Sequence, residues 1–232
     1  MLTLGSLFDG IGGWLLAAEH NNVQPKWACE IDDFATAVSE HHYPSIARYG
    51  DITKINGADL EPVDIICAST PGQDFSVSGE RFGMMVQRGR LFFEAMRIVK
   101  EMRKKTNGLY PRYFVLETVQ GLFSSNKGMD FGAVLSKFTE TKVPVPQGGK
   151  WAQAGMVEWG ECSLAWRVLD SKHFGLPQSR PKLFLVADFA GNSAGEVLLS
   201  PKACKGILRR AEQRKKTLPP VLKTAVEKTA AQ

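Results

Sequence analysis

Six residues near the start of the chain, Phe8-Asp9-Gly10-Ile11-Gly12-Gly13, follow an apolar run and precede a helix-like one. Glycines in a strand-to-helix turn let the backbone approach a ligand closely, and the first amides of the helix offer it hydrogen-bond donors. Glu30 lies 20 residues after Gly10, at the end of the next strand-like segment. A carboxylate there can accept from both hydroxyls of a ribose. Together these residues read as a site for a nucleoside-bearing cofactor. A bare α/β scaffold would also carry a glycine turn and an acid at a strand end, so the pair alone leaves a purely structural reading open.

The surrounding pattern supplies the elements that would position such a site. Leu2–Phe8, Trp27–Ile31, Val63–Ser69, Tyr113–Glu117, Leu164–Leu169 and Lys182–Phe189 read as strands. VDIICAS (63–69) is nearly continuous in apolar residues, the mark of a strand covered on both faces. Trp14–His20 and Phe34–His41 read as helices, and Leu91, Phe92, Ala95, Met96, Val99 and Met102 recur at helical spacing over 89–104. Alternating strands and helices predict a mostly parallel sheet with helices on both faces. The last two strands have no helix between them, which predicts an antiparallel final strand.

Composition narrows the class. At 232 residues, with 44% hydrophobic and 23% charged residues and a mean hydropathy of −0.16, the chain resembles a soluble domain. No apolar run reaches the ~18 residues of a membrane helix, and the N-terminus lacks signal-peptide features. The four cysteines are scattered and no zinc-ligand spacing occurs, so the expectation is a reducing cytoplasm, no membrane and no metal. Residues 201–232 hold nine Lys/Arg against two Glu, whereas the first 200 are nearly neutral. Such a tail suits phosphate backbone or simply a solvated helix surface.

The ordered segments Phe8–Gly13, Glu30-Ile31-Asp32, Gly50-Asp51-Ile52, Pro71-Gly72-Gln73, Glu117-Thr118-Val119 and Gln178-Ser179-Arg180-Pro181-Lys182 resemble the motifs of cytosine-5 DNA methyltransferases. The resemblance covers roughly residues 2–190. It implies the Rossmann-like sheet of S-adenosylmethionine-dependent methyltransferases, with residues 1–190 as core and 191–232 as a linker and basic helical tail. It implies a cofactor site of Phe8, Gly10, Ile11, Gly12, Glu30, Ile31, Asp51, Ile52 and Pro71. Glu30 would take the ribose, Ile31 the adenine face and Asp51 the adenine amino group.

The departures from the family bear on chemistry. Its reaction needs a cysteine thiolate that attacks carbon 6 of a flipped-out cytosine, and that position is Gly72. The family's Glu-Asn-Val is Glu117-Thr118-Val119, which keeps the acid and loses the amide that orients the cysteine loop. Arg180 is retained, but the second arginine of its motif is Lys182, which removes a bidentate fork. The long target-recognition domain of active relatives is not seen after Phe189. The tail resembles a segment of phage and prophage methyltransferases.

These features predict a pseudoenzyme that acts by binding, in a bacterial or phage-infected cell, with S-adenosylmethionine held weakly or vestigially. Its partners would be DNA, bound without regard to sequence through Arg209, Arg210, Arg214 and Lys215, or a host protein. Inhibition of a host defence system is the regulatory version. The alternatives are an active or split methyltransferase needing a partner chain, and a decayed gene product.

Overall fold

The computed structural model describes residues 1–70 and 90–191, with isolated positions between 194 and 230. Pro71, Gly72, Arg210, Arg214 and Lys215 lie outside the described residues. The described chain divides into two compact units, residues 1–70 with 90–117, and residues from 118 onward.

The first unit alternates strand and helix: β1 (Thr3–Leu7), α1 (Gly13–His20), β2 (Gln24–Cys29), α2 (Asp33–His42), β3 (Ala47–Tyr49), β4 (Ile65–Ser69), α3 (Arg90–Lys105) and β5 (Tyr113–Val119). The strands are parallel, in the order β3-β2-β1-β4-β5. The chain order reverses at β1, with β2 on one side and β4 on the other. That is the switch point at whose carboxyl end open α/β sheets hold their ligands.

Packing explains the local sequence. Gly5 pairs with Trp27, and a Cβ on Gly5 would come within 2.1 Å of the indole, so only glycine fits there. The α3 face buries Phe92, Ala95, Met96, Ile98, Val99 and Met102. Leu91, expected in that stripe, is half-buried, and Ile98 joins it instead. On the same helix Arg97 donates to the carbonyls of Ile52 (2.9 Å) and Ile55 (2.8 Å), which fastens the 3-10 turn Ile52–Lys54 beside Asp51.

The second unit contains α4 (Met129–Thr139), β6 (Ala154–Trp159), β7 (Cys162–Asp170) and β8 (Pro181–Asp188). β8 runs antiparallel to β7, as the missing connecting helix predicts, and β6 forms a hairpin with β7. Phe123, Phe131, Trp151 and Trp166 meet edge to face, with centroids 4.8–6.2 Å apart. Each such pair contributes about 0.5–1.5 kcal/mol beyond its buried area. Among the described residues no helix is long and apolar enough to cross a membrane.

Candidate functional site

Backbone bonds tie together the carboxyl ends of the first three strands. The Asp9 amide donates to Cys29 O (3.0 Å), the Glu30 amide to Tyr49 O (3.0 Å), and the Cys29 thiol to Gly50 O (2.8 Å). The glycine turn, Glu30 and Asp51 are thereby gathered at one end of the sheet. Phe8 (φ 55°), Gly10 (φ 57°) and Gly12 (φ 94°) all have left-handed backbone. For a bulky residue such as Phe8 that conformation costs about 1–3 kcal/mol, a strain that recurs at ligand-binding turns.

Glu30 is held by three amides: Gly10 N–H on Oε2 at 2.8 Å, and Ile31 and Asp32 N–H on Oε1 at 2.8 and 2.9 Å. A carboxylate has about four acceptor positions. One remains, on Oε2. Asp51 Oδ1 accepts from the Thr53 hydroxyl (2.7 Å) and amide (2.9 Å), and these bonds hold its carboxyl below the ordinary range. Ile11 (63%), Ile31 (71%) and Phe34 (76%) are exposed apolar side chains. They are suited to covering a flat ring.

Beneath the turn Asp9 is buried, accepting from the Ser6 hydroxyl (2.7 Å) and Ser39 hydroxyl (2.8 Å), with Arg48 at 3.6 Å. Burial raises its pKa against the pull of those partners. Ile52 is buried below Asp51.

At the end of β5, Glu117 Oε2 accepts from the Ser69 hydroxyl (3.0 Å), which itself accepts from the Trp14 indole N–H (2.8 Å). Thr118 is fully buried and its hydroxyl finds no hydrogen-bond partner among the described residues. Cys67, inside β4, is 2% exposed and burial pushes its thiol far up, while that of Cys29 is pushed up to about 12. Neither has thiolate character at neutral pH.

In the second unit Asp170 organises the loop that carries Arg180. Its carboxylate accepts from the Arg180 amide (2.9 Å), the Ser179 hydroxyl (2.9 Å) and the Lys172 amide (3.2 Å). Arg180 is exposed, and Lys182 lies on β8 opposite Leu169. Of the basic tail positions, Arg209 is described, helical and exposed. Among the described residues no group of three or more His, Cys, Asp or Glu is placed to hold a metal ion.

The profile of the C-5 cytosine-specific DNA methylases matches residues 2–217. The chain belongs to that family. It is 30% identical over 214 residues to the DNA N-6-adenine-methyltransferase of Escherichia phage P1, covering 80% of this chain and 28% of that protein. It is 30% identical over 217 residues to the type II methyltransferase M.AquIA of Picosynechococcus, covering 90% of this chain and 79% of that protein. Other curated relatives, at 31–32% identity, are covered for about two fifths of their length. A solved DNA modification methyltransferase encoded within an E. coli prophage shares the fold, with a TM-score of 0.58 at 19% identity over 81% of this chain and 47% of that one. The family uses S-adenosylmethionine as its cofactor.

Sequence reasoning did not find Ser69, Trp14 or Asp170. Asp170 ends β7 ten residues before Arg180, at the start of the loop into β8. Ser69 and Trp14 are 55 residues apart and carried no local signal.

Proposed function

We propose that this chain binds S-adenosylmethionine and DNA without methylating cytosine. The observation that carries this reading is Gly72, between Pro71 and Gln73, where the family's mechanism requires a cysteine. S-adenosylmethionine supplies an electrophilic methyl sulfonium, and cytosine carbon 5 becomes nucleophilic enough to take it only after a thiolate adds to carbon 6. Glycine offers no nucleophile, and the buried, protonated Cys67 is no replacement. Thr118 adds to the deficit, because its hydroxyl sits fully buried, and unpaired among the described residues, where the family has an orienting amide. Lys182 gives a point charge in place of a guanidinium fork.

The cofactor side is better preserved. Glu30 is pre-oriented by three amides, Asp51 is ionised beside it, and the exposed faces of Ile11 and Ile31 suit an adenine. Phe8, Gly10 and Gly12 form the turn around it, with Ile52 and Pro71 as the remaining contacts. With one acceptor position left on Glu30, binding is expected to be weak, roughly 10–1000 μM, or about 4–7 kcal/mol. DNA would be held without regard to sequence, in part by Arg209, Arg210, Arg214 and Lys215. The phage P1 and prophage relatives favour a phage setting, in which an inert family member would act in the host cytoplasm on DNA or on a defence protein.

The deciding experiment is transfer of labelled methyl from S-adenosylmethionine to cytosine-containing duplex DNA. The expected result is no incorporation, by the native chain or by Gly72→Cys alone, since Thr118 and Lys182 remain. Any 5-methylcytosine made by the native chain overturns the reading. A second reading is an active or split methyltransferase needing a partner chain; its active part is favoured by M.AquIA, a type II methyltransferase of which this chain covers 79%. Methyl transfer appearing only when a second chain is added would select it. Absence of any S-adenosylhomocysteine binding would favour a decayed product instead.

A further inference from the structure

We propose that a shallow hollow in the second unit binds a phosphodiester of a nucleic-acid strand, an inference that rests on the DNA-binding reading above. The hollow has a volume of about 470 Å³ and is lined by Gln120, Ser124, Lys150 and Gln153 over Phe123 and Trp151. Gln120 and Ser124 come from the segment just after β5, and Lys150 and Gln153 from the loop leading into β6.

Two features make it a site for an anion. The side chains of Gln120, Lys150 and Gln153 form no hydrogen bond or ion pair with any described residue, so three donor groups reach the hollow uncommitted. The neighbouring loop adds a second cation. Gly149 (φ 68°) and Gly128 (φ 83°) let two backbones touch: a Cβ on Gly149 would lie 2.5 Å from the Lys127 carbonyl oxygen, and one on Gly128 2.6 Å from the Gly149 oxygen. The Trp151 indole N–H donates to Gly128 O at 2.8 Å and locks this approach. This approach packs the backbone of exposed Lys127 against Gly149, the residue before Lys150, next to the start of α4, whose N-cap Gly128 supplies no capping side chain.

Shape selects a polymer over a small metabolite. The hollow is open to solvent, and its aromatic floor is nearly covered, with Trp151 9% and Phe123 8% exposed. Little ring face is left for stacking a base, and no wall closes over a ligand. One lysine and two amides in an open hollow, with a second exposed lysine on the loop packed against it, match successive phosphates of a strand, which position it and carry no sequence information.

The test is fluorescence anisotropy with a labelled short duplex, between about 50 and 200 mM salt. Native chain, Lys127→Gln/Lys150→Gln and Gln120→Ala/Gln153→Ala are compared, with inorganic phosphate as competitor at fixed ionic strength. The lysine pair variant should weaken binding several-fold and flatten the plot of log K against log salt by roughly one to two, at about 0.9 per phosphate contact. Lys127→Arg/Lys150→Arg should restore both, and circular dichroism checks that each variant is folded. Equal affinity and equal slope in the lysine variant overturn the inference, as does a native chain that binds no DNA. Displacement of the duplex by millimolar inorganic phosphate overturns the strand in favour of a small anion. None of these outcomes is the methyl transfer that would overturn the inert reading.

Discussion

The Ser69 hydroxyl donates to Glu117 Oε2 at 3.0 Å while accepting the Trp14 indole N–H at 2.8 Å. Ser69 and Glu117 are register partners on adjacent parallel strands, so the bridge is set by the sheet itself. It orients the Glu117 carboxylate and links it to the first turn of α1, directly after the glycine turn. Ser69→Ala removes a hydroxyl that serves both neighbours. We expect a loss of about 1–2 kcal/mol in stability and a changed Trp14 fluorescence, with Ser69→Thr preserving both. Urea denaturation and emission spectra of the two variants, with Trp14→Phe to identify the signal, check this. Unchanged emission in Ser69→Ala would mean the bridge does not form in solution.

Glu30 gives a second prediction through its three amide bonds. Glu30→Gln keeps the shape but loses the charge and turns one acceptor into a donor facing an N–H. S-adenosylhomocysteine affinity should drop at least tenfold, equivalent to about 1.4 kcal/mol. Glu30→Ala should also lower stability by about 1–2 kcal/mol, since three amides must find water instead. Titration calorimetry and thermal unfolding separate the two effects. Equal affinity in Glu30→Gln would place the nucleoside elsewhere.

How legible each element was follows from its physics. The strand VDIICAS and the α3 stripe are long enough to declare their periods, and both lie where the pattern places them. β3 spans three residues, too few to show any period. α4 begins at a glycine with no capping side chain, after Asn126 and Lys127 in left-handed backbone, so the usual start signals are missing. The β6–β7 hairpin was readable from Gly160 (φ 54°) and Glu161 between Trp159 and Cys162, a two-residue turn that the sequence reading passed over. The glycine turn and Glu30 were legible because they form a local motif. The hollow was not, because Gln120 and Lys150 are brought together only by the fold.

Thr118 is a buried hydroxyl without a partner among the described residues, on a strand where a β-branched apolar residue of the same shape fits at no steric cost. Thr118→Val should raise stability by about 1 kcal/mol, the desolvation penalty of an unsatisfied polar group. Thermal denaturation measures it. A destabilised Thr118→Val would reveal that the hydroxyl is bonded in solution.

The Asp170 carboxylate governs the loop bearing Arg180, and its titration gives a signed test. Burial works to raise its pKa, but the Ser179 hydroxyl, the Lys172 and Arg180 amides and the Lys172 side chain outweigh that and hold it below the ordinary range. A carboxyl with a lowered folded pKa contributes stability that is fully present above its unfolded value, about 3.9, and is lost as pH falls through the lower folded value. Between neutral pH and about pH 4 the loop should therefore stay pinned, releasing only on further acidification. The Lys172 and Arg180 amide signals in nitrogen-15 spectra should move together with a midpoint below about 3.9. In Asp170→Asn both signals should be flat across that range, and the Arg180 amide should exchange faster with solvent at neutral pH, because a neutral oxygen is a weaker acceptor and the Lys172 ion pair is gone. A midpoint at or above the ordinary value would mean that the carboxylate does not hold Arg180 in place.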